Sequence, residues 1–268
     1  SLSLEAFQSD RRFLSDDYEQ RNTGGRIGLG RALWGPNRAR LTYSLENIDV
    51  HDVADDASEV IQAEEGERLK SALTLAITHD TRNNFFVPSK GNRTILTLGV
   101  AGGPLAGDTD IYNAEVRVSH YIPVFVDHVL SFRGAVAIVE SYGDSDSVPI
   151  FDREFLGGAR TLRGFRFRDV GPKDENGEPI GGQSSWFGSF EYTVPLFQQF
   201  RAAAFYDIGM VNDDTSLEFG DYNSDVGIGV RLDFPGLPLR MDYAWPIEAD
   251  EFNDKSGGRF NILLGHVF

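Results

Sequence analysis

Residues 225–234, DVGIGVRLDF, invert the pattern of a soluble strand. Side chains alternate along an extended chain, so Val226, Ile228, Val230, Leu232 and Phe234 share one face, opposite Asp225, Gly227, Gly229, Arg231 and Asp233. The same division recurs in 112–119, where Tyr112, Ala114, Val116 and Val118 oppose Asn113, Glu115, Arg117 and Ser119. A soluble barrel turns its apolar face inward, and a small one has no room for so many inward charges unless its lumen is wet. Apolar groups facing lipid and charges facing a watery lumen satisfy both constraints.

Period-two alternation marks about twelve strands of the length a tilted membrane strand needs. They are residues 1–8, 24–34, 38–48, 67–79, 91–102, 110–122, 128–141, 183–194, 200–211, 224–234, 238–246 and 258–268. Short connections at Gly35–Asn37, Phe85–Lys90, Pro123–Asp127, Pro195–Gln199 and Pro235–Leu237 alternate with long ones at Ser9–Thr23, Asp49–Gly66, Gly103–Thr109, Tyr142–Gly182, Asn212–Asn223 and Glu248–Gly257. Membrane barrels have short periplasmic turns and longer outer loops, which puts both ends of this chain on the short-turn side. The expected fold is therefore all-β: one transmembrane antiparallel up-and-down β-barrel over residues 1–268, closed by pairing 1–8 with 258–268, with Tyr142–Gly182 as a long lumenal loop. Leu73, Leu75, Ile77, Phe132, Val136, Phe190, Tyr192, Val230 and Leu232 should face outward. On that assignment Val230→Arg should cost about 2–4 kcal/mol and Arg231→Ala much less.

Composition removes several alternatives. The mean hydropathy is −0.28, and no apolar run approaches the ~20 residues of a spanning helix, so a helical membrane protein is excluded. A net charge of −16 argues against a nucleic-acid partner. The first residues, SLSLEAF, lack the basic region of a signal peptide, and the absence of cysteine is compatible with an oxidising compartment. Glu46 to Glu67 holds nine Asp or Glu and no Lys or Arg, which reads as a solvated loop; divalent-cation bridging to anionic headgroups is the sharper alternative. His51, His79, His120, His128 and His266 are scattered, and neither a G-x-S-x-G elbow nor an H-E-x-x-H pair is present. No catalytic residue, metal site or cofactor is expected.

The segment Gly157 to Pro172, GGARTLRGFRFRDVGP, resembles the signature loop of the outer-membrane assembly-factor family, the BamA-type barrels and two-partner secretion transporters. The family's usual Val-Arg-Gly-Phe/Tyr is here Leu162-Arg163-Gly164-Phe165. Gly188-Ser189-Phe190-Glu191 is similar to the family strand after that loop, and Phe205-Tyr206-Asp207-Ile208-Gly209 to its F-x-D-x-G strand. The ending FNILLGHVF, with Phe260, Gly265 and Phe268, resembles the family's C-terminal recognition signal. Family barrels usually have more strands and follow periplasmic POTRA domains. Here seven strands precede the signature loop and five follow it, so the sequence is expected to be a shortened stretch or a compact relative.

Arg163 sits in a 41-residue connection, far longer than a loop without a task should be. Folded back into the lumen, its guanidinium would need carboxylates. By alternation Glu191 faces inward with Ser189 and Thr193, and Asp207 with Phe205 and Gly209, so both are expected to bind Arg163. The resemblance implies a bacterial outer-membrane barrel that inserts nascent β-barrel proteins without covalent chemistry, through a weakly paired seam between its first and last strands. Its implied partners are outer-membrane lipids, nascent outer-membrane β-barrel proteins and periplasmic assembly lipoproteins. The competing class is a passive channel or pore in which the loop is a plug.

Overall fold

A computed structural model describes residues 1–11, 18–233 and 237–265. Twelve strands form one antiparallel sheet in which every strand pairs with its sequence neighbours. They are β1 (Leu2–Arg11), β2 (Glu19–Ala32), β3 (Asn37–His51), β4 (Gly66–Asp80), β5 (Gly91–Ala101), β6 (Ile111–Pro123), β7 (Val129–Ser141), β8 (Ser184–Phe197), β9 (Phe200–Asn212), β10 (Asn223–Leu232), β11 (Leu239–Glu248) and β12 (Arg259–Leu264). Among the described residues no helix is long and apolar enough to cross a membrane.

The two faces of the sheet divide as the alternation requires. Ile228, Phe190, Val136 and Phe132 present exposed apolar groups outward, while Arg231, Arg133, Glu191 and Asp207 are buried on the inner face. Trp34, Phe85, Phe125 and Phe197 add exposed aromatic rings at the short-turn end, as an interfacial belt does.

Several expectations need correction. The ring is not closed: among the described residues β1 and β12 each pair on one side only, so 1–8 is not bonded to 258–264. Closure requires strand number, tilt and shear to agree, and alternation along each strand specifies none of these, so an even strand count alone does not join the two edges. Ser9–Thr23 is not simply a loop, because β1 and β2 run on into it and pair as far as Arg11↔Gln20. The β4–β5 connection, residues 81–90, is no shorter than the opposite one at 102–110. It is held as a folded turn by Asn83 Oδ1, which accepts from the Ser89 and Lys90 amides, and by Asn84 Oδ1, which accepts from Phe86 and Val87.

The acidic stretch is not a solvated loop either. It contains a single helical turn, α1 (Glu59–Gln62), whose Ile61 is buried with Tyr18, Val50, Ala57 and Ile150. Glu64 accepts from the Ile150 amide at 3.1 Å and from Arg68, fastening the stretch to the long connection after β7. The apolar core accordingly lies toward the long-loop end, where 148–170 packs on the inner wall, in this cluster and two others around Leu162 and Val148.

Candidate functional site

The connection between β7 and β8 folds inward and carries its own short pairings, Glu154↔Gly182, Leu156↔Val170 and Lys173↔Pro179. Its tip turns tightly: Gly158 donates to the Leu162 carbonyl at 3.0 Å and has a φ of 85°, a conformation that favours glycine. Leu162 and Phe165, on either side of Arg163-Gly164, are buried against Leu156, Val170, Phe187 and Val211. Two apolar anchors thus hold the tip while the arginine between them reaches the wall.

Arg163 is fully buried. Its Nε donates to Asp207 Oδ2 at 2.7 Å and its Nη2 to Asp207 Oδ1 at 2.8 Å, the two-pronged geometry that suits a guanidinium to a carboxylate. Nη1 donates to Glu191 Oε2 at 2.8 Å and to Asp242 Oδ2 at 3.4 Å. The guanidinium carbon lies 3.3 Å from the centroid of Phe205, so one face is covered by an aromatic ring. Alternation had already put Glu191, Asp207 and Phe205 on the inner wall.

The wider cage includes residues that the sequence reading did not assign to the Arg163 site. Arg231 donates from Nη2 to Glu191 at 2.7 Å and from Nη1 to Asp242 at 2.6 Å, and Arg240 donates to Glu191 at 3.2 Å. Arg231 and Arg240 face each other across β10 and β11, a like-charge pair that Glu191 holds together. The Gly164 amide donates to Asp225 Oδ2 at 2.9 Å, and a Cβ on Gly164 would meet the Asp225 Cβ at 2.6 Å, so only glycine lets the backbone come this close. Asn261 on β12 donates to the Arg163 carbonyl at 2.8 Å. The inward parity of Asp225, Arg231 and Asp242 was available from alternation, but which inward charges converge depends on register across four strands.

Arg231 therefore contradicts its expected mildness. Its truncation would strand parts of Glu191 and Asp242 in a buried site, which costs more than losing a wet lumenal side chain. Of the terminal residues, Phe260 points outward and is 62% exposed, while Gly265 donates to the Pro238 carbonyl at 2.8 Å. Phe268 and His266 lie outside the described residues.

The charged groups of this arrangement are engaged with one another. It is an ionic lock that pins one loop to four strands and, through Asn261, to a fifth.

The family model for the Omp85 superfamily domain matches residues 1–268. The chain is 31% identical over 262 residues to the outer membrane protein assembly factor BamA of Nitratidesulfovibrio vulgaris, covering 94% of this chain and 32% of that protein. It is 28% identical to a SAM50-like protein of Schizosaccharomyces pombe, covering 87% of this chain and 51% of the relative. It thus spans only a third to a half of these relatives' lengths. Among solved structures it resembles BamA from Haemophilus ducreyi lacking POTRA domains 1–3, with a TM-score of 0.82 at 19% identity over 98% of this chain and 58% of the other. CdiB from Acinetobacter baumannii matches with a TM-score of 0.58 at 17% identity, covering 91% and 42%. A twelve-strand sheet with an apolar outer face, an inward loop locked by its arginine and a family match along the whole chain lead to one conclusion: the chain belongs to the Omp85 superfamily and is an outer-membrane β-barrel.

Proposed function

We propose that this barrel assists the insertion and assembly of β-barrel proteins in the outer membrane, acting on nascent strands and on the surrounding lipid by physical and not covalent means. The observation that carries the reading is the locked loop on an uneven wall. β3 and β4 are each paired on both sides, whereas among the described residues β12 is paired on one side only, to β11 from Leu239↔Leu264 to Ala244↔Arg259. That edge strand is also the one whose Asn261 touches the signature loop. Phe260, Ile262 and Leu264 on its outer face lie open to lipid. A nascent strand would gain backbone hydrogen bonds at such an edge that lipid cannot offer. Periplasmic lipoproteins would bring clients to the short-turn end.

The test compares folding of an unfolded outer-membrane barrel protein in liposomes with and without this protein, alongside ion conductance in planar bilayers. Client folding that accelerates with the protein and slows in Arg163→Ala supports assembly. Conductance without any effect on client folding overturns it in favour of a passive pore.

A further inference from the structure

The inner wall holds a second charged site, on β3 and β5 where the arginine cage is on β8 to β11, and its positive charge is only partly compensated. At the short-turn end of β2 to β5 lies a cavity of about 710 Å³. Arg38 and Arg40 on β3 share the inward face of Thr42 and Ser44, and Arg93 on β5 faces the same space beside Asp80. Cross-strand partners of the two β3 arginines are small: Ala32 and Thr78 flank Arg38, while Gly30 and Ala76 flank Arg40. The guanidinium groups therefore stand over a floor with no bulky side chains to fill the room between them.

Counter-charges for the three are scarce. Asp80 is taken by Arg82, whose Nε and Nη2 donate to its two oxygens at 3.0 and 2.8 Å. Arg93 Nε lies 3.8 Å from Asp80, too far for a hydrogen bond, and is a buried donor without a partner. Arg40 reaches only the Ser3 hydroxyl, at 3.3 Å. Arg38 makes no hydrogen bond or ion pair among the described residues. In a chain with a net charge of −16, three convergent arginines that share one carboxylate, Asp80, already bound by Arg82, stand against the prevailing sign.

We propose that this cavity binds a phosphate group through Arg38, Arg40 and Arg93. A phosphate carries enough charge and enough acceptor oxygens for several guanidinium forks at once, which a single carboxylate does not. Two sources share this chemistry, the headgroup of an anionic phospholipid and a free phosphate ester, and the cavity borders the short turns at Gly35, Pro36 and Phe85, the end nearest the periplasmic water and the inner leaflet.

Calorimetric titration of the detergent-solubilised protein with inorganic pyrophosphate tests the site, and retention of phosphatidylglycerol against phosphatidylcholine from mixed nanodiscs tests the lipid source. Saturable pyrophosphate binding is expected, weakened about tenfold or more in Arg40→Gln and in Arg38→Gln. Both side chains are exposed within the cavity, and preserved heat-modifiable migration will confirm that the variants fold. Arg26→Gln, on β2 and paired with Glu46 outside this cavity, should bind as the parent does. Selective retention of phosphatidylglycerol that the same two variants abolish assigns the site to a headgroup; pyrophosphate binding without lipid selectivity assigns it to a free phosphate ester. The proposal is overturned if neither probe binds saturably, if the arginine variants bind like the parent, or if poly-glutamate binds where pyrophosphate does not.

Discussion

A single guanidinium organises the lumen. Arg163 gives two hydrogen bonds to Asp207 and one to Glu191 in a site with no water-exposed surface, so its removal leaves carboxylates that nothing else in the loop can neutralise. Arg163→Ala should weaken docking of the loop by about 3–5 kcal/mol, and Arg163→Lys should recover little, because an ammonium cannot present the planar fork that Asp207 receives. Hydrogen exchange of residues 157–171 would measure it, and parent-like protection in Arg163→Ala would refute the lock. Glu154 has the opposite character. Burial, reinforced by the charge of Glu115, raises its pKa, although Ser185 donates to it at 3.1 Å. A carboxyl with a raised folded pKa destabilises the docked loop as it ionises: the penalty is absent below the unfolded value and complete above the folded one. Glu154→Gln keeps the Ser185 hydrogen bond and removes the penalty. Its loop should match the parent's protection at acidic pH and exceed it increasingly as pH rises, whereas a pH-independent difference would exclude ionisation as the cause.

At the scale of strands, the alternation that marks each segment also determines what it tolerates. Val230 faces outward and Arg231 inward into the cage. Val230→Arg should cost about 2–4 kcal/mol in a lipid-dependent folding titration. Arg231→Ala should prove comparably harmful and not mild, since Glu191 and Asp242 both depend on it; a cost under about 1 kcal/mol would mean that the lumen rehydrates those carboxylates. All twelve strands were legible because each spans enough residues to repeat its period several times. Less legible were features set by side-chain capture. Asn83 and Asn84 fold 81–90 into a compact turn, and β1 with β2 extends beyond the point where apolar alternation fades, because backbone pairing needs no apolar face. Within the cage, Glu191 and Asp207 stood out through motif and parity together. Asp242, Arg240 and Asn261 have no motif of their own, and their convergence arises from register alone.

For the molecule as a whole, the loop and the wall are separable layers. The wall rests on a backbone ladder, whereas the loop rests on three footholds, one of them Val148 against Ala101, Ile111 and Val139. Ile150 packs with Ile61, Val50 and Tyr18 near the long-loop end, while Leu162 and Phe165 flank Arg163 deeper in the lumen. Removing one foothold should therefore release one part of the loop. In Arg163→Ala, trypsin should gain access to Arg160, Arg166 and Arg168, while Arg153, bonded to the Val148 and Ile180 carbonyls, stays protected. Ile61→Ala creates a cavity in the cluster around Ile150, at a cost of about 2–5 kcal/mol, and should expose Arg153 first. Heat-modifiable migration should persist in both variants, since neither touches the ladder. Simultaneous cleavage at all four arginines in either variant would show that the loop docks as one cooperative unit, and the lock at Arg163 would then govern the outer layer as well as the lumen.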